Sequence, residues 1–192
     1  MNETIKSILS RRSYKSYKPE QISEEHLQMI LEAGKFAPSG MNRQPWHFTV
    51  IQSKEKLKEI DETARRSMPK NMSAPPSPPP GPDGKPMPPR KNPMETAPTL
   101  IIISGDTEVF TTPCDCVLAM ENMFIAAESL GIGSNWLHAI VKDLFYSEEG
   151  AGLKKELLPE GYVPYAAAVF GYKDGEPMPR QPRKEGTVTI IR

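Results

Sequence analysis

A chain of 192 residues with 24 basic and 24 acidic side chains has no bulk electrostatic attraction for nucleic acid or an anionic membrane surface. Its 38% apolar content is diluted by 21 prolines, more than half of them between Met68 and Pro93, and no apolar run approaches a membrane span. Cys114 and Cys116, the two cysteines, form neither a disulfide framework nor a zinc or iron–sulfur ligand set, and the polar N-terminus lacks a secretory apolar core, so the expectation is two reduced thiols in a cytoplasmic protein.

Ile5, Ile8 and Leu9 fall at helical spacing and predict a short first helix ending near Ser10. Arg11 to Lys18 is polar and closes at Pro19. Ser23 reads as an N-cap, with Glu24 and Glu25 in the first turn, where carboxylates favour the positive end of a helix. Leu27, Ile30 and Leu31 give this second helix a buried stripe up to about Phe36. The next stretch, Ala37 to Phe48, is a turn-rich loop. Pro38 and Pro45 fix φ, and Gly40 permits close backbone approach. Ser39, Asn42 and Gln44 supply neutral donors and acceptors that suit a flat heterocycle with carbonyls and ring nitrogens. The same side chains can equally satisfy the loop's own backbone.

Trp46 to Ile51 reads as a strand with Trp46, Phe48 and Val50 on one face. Ser53 caps a third helix whose inward residues are Leu57, Ile60 and Ala64. Met68 to Pro93 breaks every pattern and reads as irregular or polyproline II, an insertion at about 69–93. Thr99 to Ser104 is a continuous apolar run, expected of a strand buried on both faces. Thr112-Pro113 opens a fourth helix in N-cap and N1 order, apolar nearly all round from Val117 to Leu130 and ended by Gly131. Ile132 to Ile140 leads through Trp136 toward a short strand, Leu144 to Leu158 is a Gly-interrupted helical segment, and Tyr165 to Phe170 is a last buried strand. The alternating Val188 to Ile191 reads as an arm that pairs with a sheet, its own or that of another subunit. The whole fits an α+β sandwich, helices around a mostly antiparallel central sheet, in a single domain over 1–192.

No Walker-type loop is present, and Gly131-Ile132-Gly133 follows a helix, so a dinucleotide fingerprint fails its context. His26, His47 and His138 are isolated, and no nucleophile–base set stands out. Four blocks do carry a pattern: Arg11-Arg12-Ser13-Tyr14-Lys15; Pro38-Ser39…Asn42…Gln44-Pro45-Trp46; Asp115 to Trp136; and Gly171-Tyr172 followed by Pro182-Arg183-Lys184. In order and spacing they resemble the FMN-dependent nitroreductase family.

The resemblance implies a nitroreductase-like sandwich that forms an intertwined homodimer, with FMN at the subunit interface and the apolar fourth helix in its core. It assigns the FMN phosphate to Arg11 and Arg183, with Arg12, Ser13 and Lys15 close by; Arg180 and Lys184 compete with Arg183, because Glu185-Gly186 departs from the family's usual apolar pair. It places Pro38, Ser39, Asn42 and Gln44 on the pyrimidine edge of the flavin, Lys15 or Arg12 near N1 and O2, and Ser134, Trp136 and Leu137 near N5 and the ring face. Met41 and Asn135 are further departures from the usual pattern. The implied activity is hydride transfer from NADH or NADPH to FMN and then to a small acceptor such as a nitroaromatic or quinone, in a ping-pong cycle. No protein side chain need be catalytic, since the flavin carries the chemistry. Alternatives within the fold are dehalogenation or dehydrogenation. A different class is an FMN-binding sensor or scaffold that displays Pro75 to Pro89 to an SH3-like partner.

Overall fold

A computed structural model of the chain describes residues 1–68, 80–81, 84–86 and 91–192. The irregular reading of most of Met68 to Pro93 lies outside the described residues. The helices are α1 (Glu3–Ser10), α2 (Glu24–Lys35), α3 (Lys54–Ser67), α4 (Thr112–Ser129), α5 (His138–Lys142) and α6 (Ala151–Leu157). The strands are β1 (Trp46–Ile51), β2 (Thr99–Asp106), β3 (Ile132–Trp136) and β4 (Tyr162–Tyr172). They form one sheet in the order β1-β2-β4-β3 with every pair antiparallel, an α+β fold as expected.

Local chemistry sets the helix ends. Ser23 accepts a hydrogen bond from the His26 N–H at 3.2 Å, and Ser53 accepts one from the Lys56 N–H at 3.2 Å. Gly131, at φ 74°, supplies the left-handed residue that ends α4. The start of α4 lies one residue from the expected place. Thr111 is the N-cap, because the Thr112 hydroxyl is buried and donates to the Asp106 carbonyl at 2.7 Å.

β2 explains the two-faced core. Leu100 and Ile102 point into a cluster with Leu57 and Ile60 of α3 and with Ile140, Phe145 and Leu153. Ile101 and Ile103 point the other way, into Leu27 and Ile30 of α2 and Met120, Met123 and Phe124 of α4. Strand alternation therefore places apolar side chains on both faces, which is why β2 reads as a continuous apolar run. Helix α4 buries Cys116, Ala119, Met120, Met123, Phe124 and Ala127 against the sheet and α2. Its Val117 and Leu118 remain exposed, as do Ile5, Ile8 and Leu9 of α1.

Several expectations at the C-terminal half are corrected. The strand near Trp136 is Ile132–Trp136 itself, and a short helix, α5, follows it. The Gly-interrupted helical reading of 144–158 holds. A 3-10 turn at Leu144–Tyr146 precedes α6, and Gly150 sits where an added Cβ would lie 2.0 Å from the Leu144 carbonyl oxygen. Strand β4 extends beyond Tyr165–Phe170 at both ends. Among the described residues no strand follows Tyr172, and Val188, Ile190 and Ile191 are exposed, so the tail arm pairs with no sheet of its own chain.

Burial, reinforced by the neighbouring Asp115 charge, pushes the Cys116 thiol up to about 12. Its Sγ donates to the Ser104 carbonyl at 3.8 Å. At about pH 8 it is therefore protonated as well as enclosed, and a thiol reagent is expected to leave Cys116 unmodified until the protein unfolds. Peptide mapping after labelling, with and without denaturant, checks this.

Candidate functional site

The N-terminal arginines are placed by β3. Ser13 bridges Ser134 in parallel fashion, and the Tyr14 N–H donates to the Ser134 carbonyl at 3.0 Å. A second bridge joins Tyr17 to Lys173, just beyond β4. The segment 13–17 thus lies along the free edge of β3, and Arg11 and Arg12 sit at the C-terminal end of α1. The Arg11 guanidinium lies over the Phe124 ring of α4, 5.7 Å from its centroid.

The C-terminal tail returns to the same place. Arg180 donates to the carbonyls of Leu9 at 2.6 Å and Ser10 at 3.4 Å, near the negative end of α1. Arg12 donates to the Met178 carbonyl. Burial and the positive charge of Arg180, Arg11 and Arg183 push the Arg12 guanidinium below its ordinary value, with Tyr14 opposing. Arg11, Arg12 and Arg180 thus gather where the tail crosses the end of α1, and Arg183 is near enough to act on the Arg12 charge. Such a concentration of positive charge is complemented by an anion, and guanidiniums match phosphate geometry.

The predicted loop lies elsewhere in the chain. It is folded at the N-terminal end of α4, where the Gly40 N–H meets both carboxylate oxygens of Asp115 at 3.3 Å. Asp115 and Phe124 are nine residues apart on α4, about 14 Å along its axis. Within the loop, the Ser39 hydroxyl accepts from the Gln44 N–H at 3.0 Å, and the Gln44 side-chain amide donates to Asn42 Oδ1 at 3.0 Å. The loop's polar side chains thus partly satisfy one another. Met41, Asn42 and Gln44 all have positive φ, at 51°, 53° and 46°. Pro38, Asn42 and Gln44 are exposed. Nothing in residue identity alone announced this left-handed backbone, and Asp115, which anchors it, was not singled out from the sequence.

Of the third set, Ser134 and Trp136 adjoin the arginines, whereas Leu137 packs into the opposite core cluster with α3 and α5. Ser134 and Asn135 are buried, and Asn135 turns its amide onto the Trp136 carbonyl at 2.9 Å. Trp136 packs edge-on to Phe124, with ring centroids 6.3 Å apart. The Arg11 guanidinium and the Trp136 ring thus share Phe124. Lys15 is half-buried on the bridged segment. The structure brings together Arg11, Arg12, Ser13, Lys15, Ser134 and Trp136, with Arg183 within electrostatic reach of Arg12, and keeps Pro38, Ser39, Asn42 and Gln44 apart from them along α4.

A groove of about 780 Å³ between α3 and residues 93–98 is lined by none of these residues. Its charged rim is internally paired, Arg65 to Asp61 at 3.0 Å and to Glu95 at 2.9 Å.

The family model described as the nitroreductase family matches residues 8–172, a span that contains both the β3 arginine segment and the Asp115-anchored loop. The chain belongs to the nitroreductase family. A nitroreductase of Bacteroides fragilis, solved with bound FMN, superposes with a TM-score of 0.81 at 32% identity, covering 100% of both chains. Another FMN-bound nitroreductase, from Desulfitobacterium hafniense, gives a TM-score of 0.78 at 27% identity over 100% of both chains. A protein of Archaeoglobus fulgidus, provisionally named an NADH dehydrogenase/NAD(P)H nitroreductase, is 33% identical over 185 residues, 92% of this chain and 88% of that one. The nitroreductase fold is thus retained over the full length. The described helices include none long and apolar enough to cross a membrane.

Proposed function

We propose that this chain is an FMN-dependent oxidoreductase that uses NADH or NADPH to reduce a small acceptor, a nitroaromatic or a quinone, in a ping-pong cycle. The observation that carries the reading is the convergence of Arg11, Arg12, Arg180 and Arg183 beside Ser134–Trp136. FMN bound there supplies two-electron redox chemistry between the nicotinamide and the acceptor. The chain's own residues bind and orient it. Arg11 and Arg183 hold the phosphate, with Ser13 beside them. Arg12 and Arg180 fasten the tail over the site through carbonyls, and Lys184 follows on that tail. Lys15 or Arg12 places positive charge toward the pyrimidine edge of the ring. Trp136 approaches its face.

Pro38, Ser39, Asn42 and Gln44 reach the flavin of a second copy of the chain, so the functional unit is a homodimer with two flavin sites. The domain is single, 1–192, and the proline-rich insertion shapes which acceptor enters. Its Pro80 carbonyl accepts a hydrogen bond from Gln181 at 3.3 Å, next to the arginines of the tail. The need for reduced nicotinamide places the chain in the cytoplasm. Neither nucleic acid nor membrane is a partner. A second reading, reductive dehalogenation, is favoured by a 26% identity over 183 residues to an iodotyrosine deiodinase of Thermotoga neapolitana, covering 91% of this chain and 90% of that one.

The absorption spectrum of the purified protein tests the reading. Flavin bands are expected, lost on adding NADH or NADPH without oxygen and restored by a nitroaromatic or quinone. A protein that carries no flavin and takes up none in titration refutes it. Recovery of the bands with an iodinated aromatic alone, with iodide release, selects the dehalogenase reading.

A further inference from the structure

We infer that Asp115 is a positioning residue for the flavin: its buried carboxylate holds the 39–44 loop in the shape that meets the ring. This rests on the reading above that the loop contacts FMN. Asp115 is 4% exposed, in the first turn of α4. Its two oxygens accept from the Gly40 N–H, each at 3.3 Å, and Oδ2 also accepts from the Thr111 hydroxyl at 2.8 Å. Gly40 is pressed against that hydroxyl. A Cβ added there would lie 2.6 Å from Thr111 Oγ1 and 2.7 Å from its Cγ2.

The conformation held this way is not one the loop's residues prefer. Met41, Asn42 and Gln44 are non-glycine residues in the left-handed region. Such residues persist where their surroundings over-determine them. The bonds from Gln44 to Ser39 and Asn42 close the loop on itself without tying it to the body of the protein. Among the described residues, hydrogen bonds join it to the body through the Gly40–Asp115 contact before the strained residues and through the Pro45 carbonyl, which accepts from the Asp106 N–H at 3.0 Å, after them. Asp115 is the side-chain member of that pair. A carboxylate in the first turn of a helix is favourable anywhere on its rim. Burial against a glycine N–H makes this one a fastener for the loop.

The test titrates wild type, Asp115→Ala, Asp115→Asn and Gly40→Ala with FMN and with riboflavin, which lacks the phosphate. Because the loop meets the ring and not the phosphate, Asp115→Ala is expected to weaken both ligands equally, by about tenfold. The FMN-to-riboflavin affinity ratio then stays at its wild-type value, and the midpoint potential of bound flavin shifts at saturating FMN. Asp115→Asn is expected to bind nearly as wild type, since its carbonyl oxygen still accepts from Gly40 and its amide can donate to Thr111. Gly40→Ala perturbs the same contact from the loop side with Asp115 in place, and it decides the matter if Asp115→Ala does not fold. Unchanged affinity in both Asp115→Ala and Gly40→Ala overturns the inference. So does a collapse of the affinity ratio, which marks general loosening. A wild type that binds neither flavin overturns the FMN reading and this inference with it, and does so before any variant is made.

Discussion

Arg11→Ala is expected to purify depleted of flavin and to regain activity when FMN is supplied. The structure divides the converging arginines by what they already hold. Arg12 and Arg180 donate to backbone carbonyls of the tail and of α1, so they build the site's wall. Arg11 is instead half-buried over the Phe124 ring, a contact that orients the guanidinium plane without using its N–H groups. Losing a bidentate contact between such a group and a phosphate costs about 1.5–3 kcal/mol. That corresponds to roughly ten- to a hundredfold in FMN affinity. Ser39→Ala serves as the control, because one neutral hydrogen bond contributes only about 0.5–1.5 kcal/mol and its hydroxyl is engaged within the loop. Fluorescence titration of both variants decides. If Arg11→Ala binds FMN as tightly as wild type, the phosphate belongs to Arg183 and Lys184 instead.

Much of the scaffold was legible because its physics is local. Ser23 and Ser53 cap where a hydroxyl before acidic residues should, and β2 is apolar throughout because helices cover both faces of the sheet. The slip of one residue at the start of α4 is a place where a contact six residues back overrode the local pattern. Thr112 gave up the N-cap because its hydroxyl is recruited by the Asp106 carbonyl. The glycine interruption of 144–158 was legible, and Gly150 passes the Leu144 carbonyl with no room for a side chain. The chain's last residues alternate like a strand, and no described edge of their own sheet takes them up, which leaves a second copy as the expected partner.

The site was legible as residue types and not as geometry. Arginines at positions 11–12 and 180–183 look unrelated along the chain, and the bridges from Ser13 and Tyr17 to the sheet region bring them together. The loop's left-handed residues carry no glycine to announce them, and Asp115 reads as an ordinary first-turn carboxylate. Thr111, four residues before it, was the available signal, since that spacing places hydroxyl and carboxylate on one face of the helix. What the sequence could not convey is that the two halves of the proposed site lie at opposite ends of α4.

That separation leads to the largest expected effect, that of charge placed on α4. Leu118→Asp is expected to give a monomer whose FMN affinity falls at least about a hundredfold, although no residue proposed to touch the flavin has changed. The loop is anchored at Asp115 and the arginines gather around Phe124, about 14 Å further along the helix. A two-fold axis that pairs α4 with an antiparallel α4 sets the loop of one copy beside the arginines of the other. The surface needed for such pairing is present. Val117 and Leu118 on α4 are each 44% exposed, and Ile5, Ile8 and Leu9 on neighbouring α1 are exposed as well. Burying a leucine contributes about 1.5–3 kcal/mol, and each interface contains it twice. An aspartate there must instead desolvate its charge, twice over, against an apolar partner. The proposed dimer should therefore dissociate while each chain keeps its core, because residue 118 belongs to neither core cluster. Light scattering and FMN titration on the same sample check both consequences. A monomeric variant that binds FMN normally would show that one protomer completes the site by itself, and a wild type of monomer mass with flavin fully bound would remove the dimer altogether.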